Sequence, residues 1–209
     1  MPQKRLSKTE RRKQIIEVAM DLFASKGFKG ATTRAIAETA GVSEAIIFRH
    51  FATKEKLYDA IITASLEKRM AIWERAIPST RSGIGLEELM RTYARVFLEL
   101  NRKDQTFIRL MMYSALEDHK FRQRFFESNR TPYLRSIRAL IATGVESGEY
   151  EPVDPALTTT SFFWTLLQYC ISRFVASKDP PDPSSDKELI DNLVSVTLRG
   201  LRKSHSAST

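Results

Sequence analysis

The chain has 209 residues, 42% apolar and 28% charged, an ordinary globular composition long enough for a real core. Its net charge of +8 is uneven, because residues 1–56 hold 12 Lys and Arg against 6 Asp and Glu. A basic head for a polyanion on a nearly neutral body follows from that. The lone cysteine, Cys170, excludes an intrachain disulfide framework and a cysteine zinc site.

The basic start, MPQKRLSKTERRK, has no apolar h-region behind it, so it does not read as a signal peptide. Residues 162–171 form the most apolar stretch, too short to span a bilayer. The expectation is a soluble, cytoplasmic protein without a membrane partner.

Residues 1–7 read as a loose basic arm. Ser7 or Thr9 caps a first helix running to Lys26, with Ile15, Ala19, Leu22 and Phe23 on one face and Gly27 just past its end. The basic run of Lys4, Arg5, Lys8, Arg11, Arg12 and Lys13 at its start suits a DNA backbone or minor groove. Phe28 folds back into a small core with Phe23, Ile36, Val42, Ile47 and Phe51.

The next two helices are short. Thr32 and Thr33 offer capping hydroxyls, Ile36, Ala37 and Ala40 share one face, and Gly41 ends the helix in a left-handed turn. Ser43 then caps EAIIFRHF, whose Ile47 and Phe51 point inward while Glu44, Ala45, Phe48 and Arg49 stay available. Two short helices joined by a glycine turn make a helix-turn-helix, whose second helix enters the DNA major groove. Thr53 caps a helix over 54–77, with Leu57, Ile61, Ala64, Leu66, Met70 and Trp73 as its apolar positions. Lys54 has the wrong sign for a first turn, which a nearby phosphate would explain.

At these residues the chain resembles the DNA-binding domain of the TetR family. The likeness is carried by Gly27, Phe28, Thr32, Thr33, Ile36, Ala37, Ala40, Gly41, Val42 and Ser43, and then by Phe48, His50, Phe51, Lys54, Glu55 and Leu57. Beyond about residue 75 it is architectural only. Two residues depart from the family pattern: Phe48 stands where tyrosine is frequent, and Ile46 where a small or hydroxylated residue is frequent. The resemblance implies a DNA-binding set of Thr32, Thr33, Arg34, Ser43, Glu44, Ala45, Phe48, Arg49, His50 and Lys54. By position, Glu44 accepts from cytosine, Ala45 and Phe48 pack on thymine methyls, and Arg49 reaches guanine or phosphate. Thr33, His50 and Lys54 hold phosphates.

After a loop over 78–85, helices are expected over 86–100, from Asp104 or Thr106 to Glu117, and over 121–147 with Pro132 as a break or kink. Following another loop, Pro155 suits a helix first turn. Residues 156–176 are apolar nearly all round, and a final amphipathic helix ends near Leu201. The family resemblance makes these last two helices the interface of a homodimer. Phe162, Phe163, Leu166, Leu167, Cys170 and Phe174 then lie on one helix, and Leu189, Leu193, Val196 and Leu201 on the other.

The fold class is therefore all-α, with about nine helices. A three-helix helix-turn-helix domain (1–53) is followed by a connecting helix (54–77), a ligand-binding and dimerisation bundle (78–203) and a disordered tail (204–209).

The body supplies aromatic and soft apolar surface for a small lipophilic or amphipathic effector: Trp73, Tyr93, Phe97, Met111, Met112, Tyr113, Phe126, Trp164 and Tyr169, with Arg109 for an anionic group. No chemistry of an enzyme emerges. None of His50, His119 and His205 has an acidic residue three positions before it, and no Gly-rich phosphate loop occurs. Glu117, Asp118 and His119 are adjacent on a helix and point apart, so they do not make a metal site. No cofactor is expected. The reading is a DNA-binding regulator, a dimeric repressor on a palindromic operator released by an effector. The alternative is a DNA-scaffolded or chromosome-organising protein of the same fold.

Overall fold

A computed structural model describes residues 6–76, 83–117, 132–177 and 182–203. Among them all regular structure is helical, apart from one isolated bridge between Tyr150 and Arg202. No described helix is long and apolar enough to cross a membrane. The described chain forms two compact units.

The first unit holds α1 (Lys8–Gly30), α2 (Thr33–Ala40), α3 (Glu44–His50), residues 54–70 of α4 (Lys54–Ala76) and α6 (Thr106–Leu116). Each boundary has a local cause. Ser7 and Glu10 form a capping box at the start of α1, with the Glu10 N–H donating to Ser7 Oγ at 3.2 Å and the Ser7 N–H to Glu10 Oε2 at 2.8 Å. Gly27, at φ 73° and ψ 178°, breaks that helix before a last turn. Thr32 Oγ1 accepts the Ala35 N–H at 3.1 Å, and left-handed Gly41 closes α2. Thr53 Oγ1 does the same for α4, accepting the Lys56 N–H at 3.2 Å.

Ile15, Phe23, Ile36, Ile47, Leu57, Tyr58 and Ile61 are buried together as the head core. Phe23, Phe28 and Tyr58 form an aromatic triangle with centroids 5.0–5.7 Å apart. Val42, expected inside, is only half-buried. α6, expected with the body, packs on α1.

The second unit takes residues 71–76 of α4, then α5 (Leu86–Lys103), α7 (Pro132–Glu146), α8 (Pro155–Cys170) and α9 (Pro183–Leu201). α7 begins at Pro132, whose missing N–H costs nothing at a first turn; residues 121–131, the earlier part of the helix expected over 121–147, lie outside the described residues. Asp154 and Asp182 cap the helices that Pro155 and Pro183 begin. α8 runs on into a π-helical turn, Ile171–Ala176. α5 is the central element, packing on α7, α8 and α9. The predicted tail, 204–209, lies outside the described residues.

Candidate DNA-binding interface

α3 buries one position, Ile47, and exposes Glu44, Ala45, Phe48 and Arg49 on its outer side. Phe48 is 47% exposed, an aromatic ring left in water for which the head core has no place. Ser43 sits at the N-cap position of α3, but its hydroxyl makes no capping bond and stays at the surface. The two caps thus differ. Thr32 is occupied by the α2 amide, whereas Ser43 keeps its hydroxyl for a partner.

Thr33, Glu44, Arg34 and Lys54 have protein partners. Thr33 Oγ1 donates to the Glu44 carboxylate, tying the start of α2 to the start of α3. Arg34 Nε meets Glu38 Oε1 at 3.0 Å one turn on, an exposed pair of little energetic weight. Lys54 differs from expectation. Its ammonium lies over the Phe28 ring at 4.4 Å and the Phe23 ring at 5.8 Å. Burial lowers its pKa, while the charges of Glu117 and Glu55 pull the other way. An internal set of rings and a carboxylate thus accommodates the cation at this first turn, where a phosphate was expected.

His50 stands at the end of α3 with Nδ1 buried and without a hydrogen-bond partner. Burial pushes its pKa down, and Arg49, Lys8, Arg12 and Arg11 add to the effect. Lys8, Arg11, Arg49 and His50 line a hollow of about 760 Å³ with no acidic residue in its wall. Such a basic concavity favours an anion. In sequence Lys8 and Arg11 are only members of a charge run, yet the capping box places both in the first turn of α1, beside α3.

The predicted ligand residues divide between the two units. In the second unit Trp73 stacks on Tyr93 at 4.6 Å and Tyr93 on Phe97 at 5.9 Å, all three buried. Arg109, Met111, Met112 and Tyr113 belong instead to α6 in the first unit, where the Tyr113 hydroxyl donates to the Ser25 carbonyl at 2.9 Å. Trp164 is 37% exposed on the outside of α8. Phe126 lies outside the described residues.

The Tyr169 hydroxyl donates to Asp186 Oδ1 at 3.0 Å, and Asp186 also pairs with Arg102. Asp186 is buried, so this triad clamps α9 to α5 and α8. Asp186→Ala leaves the Arg102 cation and the Tyr169 hydroxyl unpaired and is expected to cost about 2 kcal/mol in thermal unfolding. An unchanged melting temperature would rule the clamp out.

The interface set needs the largest correction. Phe162, Phe163, Leu166, Leu167, Cys170, Phe174 and Leu201 are all buried inside the single chain, because α5 and α7 already cover that side of α8. Leu189 and Leu193 are half-buried and Val196 is exposed. The outer face of α8 consists of Leu157, Ser161, Trp164, Thr165 and Gln168, all exposed. Of the Glu117, Asp118 and His119 run, only Glu117 is described. It accepts the Phe28 N–H at 2.6 Å and the Lys29 N–H at 3.2 Å.

Comparison with known proteins agrees with this geometry. Residues 15–61 match the family described as bacterial regulatory proteins, tetR family, and residues 85–200 match the AefR-like transcriptional repressor C-terminal domain. The chain is 30% identical over 197 residues to the HTH-type transcriptional regulator RutR of Escherichia coli K12, covering 92% of this chain and 91% of that protein. It is 28% identical over 187 residues to the HTH-type transcriptional repressor AcnR of Corynebacterium glutamicum, covering 89% and 93%. The fold matches that of the regulator FadR from Bacillus subtilis, solved with stearoyl-CoA, at a TM-score of 0.69 and 19% identity over 90% of this chain and 98% of that one. With a helix-turn-helix at its start and a helical body of the matching type, the chain belongs to the TetR family of bacterial DNA-binding transcriptional regulators.

Proposed function

We propose that the protein is a homodimeric cytoplasmic repressor that holds a palindromic operator through α2 and α3 and leaves it when a small molecule binds the body. The observation that carries the DNA contact is the acid-free hollow of Lys8, Arg11, Arg49 and His50 beside the exposed outer face of α3. Phosphates enter the hollow, while Ala45, Phe48 and Arg49 meet base edges. Thr33 steadies Glu44, whose second oxygen remains available to accept from a base. Two copies place their α3 helices in successive major grooves, about 34–36 Å apart. AcnR is named a repressor and FadR was solved with an acyl-CoA, which favours repression and an amphipathic effector here.

Selection of sheared genomic DNA by the purified protein across a salt series tests the reading. A few palindromic sites, released by a metabolite extract, are the expected outcome; broad binding indifferent to every extract would overturn the effector-gated repressor. On the selected site, replacing both Lys8 and Arg11 with alanine is expected to reduce the slope of log K against log salt by about 2, weakening all sequences alike. Arg49→Ala is expected to alter sequence preference. An unchanged slope in the double variant would remove Lys8 and Arg11 from the phosphate contact.

A further inference from the structure

The break in α1 at Gly27 creates a problem that α6 solves. A helix interrupted in mid-course leaves carbonyls without donors on one side and N–H groups without acceptors on the other. Here the Tyr113 hydroxyl of α6 donates to the Ser25 carbonyl at 2.9 Å, before the break. One turn further along, Glu117 accepts the amides of Phe28 and Lys29, after it. The 2.6 Å bond to Phe28 is short, as befits a carboxylate on a backbone donor. Only glycine leaves room for this, since a Cβ at position 27 would stand 2.6 Å from Glu117 Oε1 and 2.7 Å from Tyr113 Cδ1.

The same carboxylate faces the chain on the far side of the helix-turn-helix. Lys54, the first residue of α4, holds its ammonium over Phe28 and interacts electrostatically with Glu117. Residues 28–31 lead into α2, and residues 51–53 lead out of α3 to Lys54. The end of α6 therefore holds the chain that leads into α2 by two hydrogen bonds, and its charge reaches Lys54 at the exit from α3. These partners lie within the first compact unit, yet Glu117 is 56 residues past the end of the helix-turn-helix match at residue 61.

We propose that Glu117 is a positioning residue for DNA binding: by holding the Phe28 and Lys29 amides it sets the pose of the helix-turn-helix, although it touches no DNA. The inference rests on the DNA-binding reading above. It separates pose from stability, because a head that is folded but unclasped should bind its site less well.

The test uses the full chain and the DNA fragment that the wild type selects, by fluorescence anisotropy at a temperature where circular dichroism shows every variant folded. Glu117→Ala, which removes both amide bonds, is expected to weaken binding about tenfold or more, with an unchanged salt slope. Glu117→Gln, which keeps an acceptor oxygen, should recover part of the loss. Tyr113→Phe, the milder cut, should weaken binding roughly threefold by the loss of one neutral bond. Hydrogen exchange should show the amides at 28 and 29 losing protection in Glu117→Ala. Wild-type affinity in Glu117→Ala, with those amides deprotected, would overturn this inference alone. Failure of the wild type to select any site would overturn the DNA-binding reading and this inference with it.

Discussion

Gly27→Ala will destabilise the protein by about 3 kcal/mol, lowering its melting temperature by roughly 10 °C. Two effects add. At φ 73° and ψ 178° the backbone lies in a region that is essentially reserved for glycine, which alone costs about 1–3 kcal/mol for any other residue. The new methyl also meets Glu117 and Tyr113 well inside van der Waals contact. The double variant Gly27→Ala/Glu117→Ala separates them, because removing the carboxylate relieves one clash but leaves the backbone strain. The second substitution should therefore cost less in the Gly27→Ala background than in the wild type, a less-than-additive coupling read by a double-mutant cycle. A Gly27→Ala protein that melts with the wild type would mean that the break in α1 is not a feature of the folded head.

Where the signal was local, the sequence spoke clearly. Gly27 past the first helix, Thr32 and Gly41 around α2, Thr53 before α4 and Pro155 at the start of α8 are all settled within four residues of chain, the range over which caps act. What failed was partner choice over long separations. Nothing near Glu117 in sequence shows its role, because its partners, Phe28 and Lys29, are 89 and 88 residues away. Nothing near Lys54 in sequence explains a cation at that first turn; Phe28 and Glu117 do. Thr33 and Glu44, both expected at DNA, also bind one another, a bond that eleven residues of separation hide in the sequence.

α8 shows a different limit. A helix apolar nearly all round does not say which side meets its own chain and which meets a second copy. Within the chain, α5 and α7 take the Phe162, Phe163 and Leu166 side and leave the Leu157 and Trp164 side uncovered.

That assignment sets up the second large effect. Introducing glutamate at both Leu157 and Trp164 is expected to yield a folded monomer whose operator affinity falls by more than about a hundredfold. Leu157 is 67% exposed and Trp164 37% exposed with its ring against Phe163, so the double change costs the single chain some packing but places neither charge in the core. In a dimer they would lie, with Val196 of α9, on the faces these helices leave uncovered, where two buried carboxylates without partners are intolerable. The affinity loss follows from geometry rather than from any lost DNA contact. With one head bound, the second searches at high effective concentration, and a monomer forgoes that gain of about 10²–10⁴. Phe163→Glu is the contrasting variant: at 0% exposure it buries a charge in the core and should unfold the second unit instead of dissociating the dimer. Light scattering after size exclusion reads the mass, and anisotropy reads the affinity. A Leu157→Glu/Trp164→Glu protein that still elutes as a dimer at micromolar concentration would move the interface off α8.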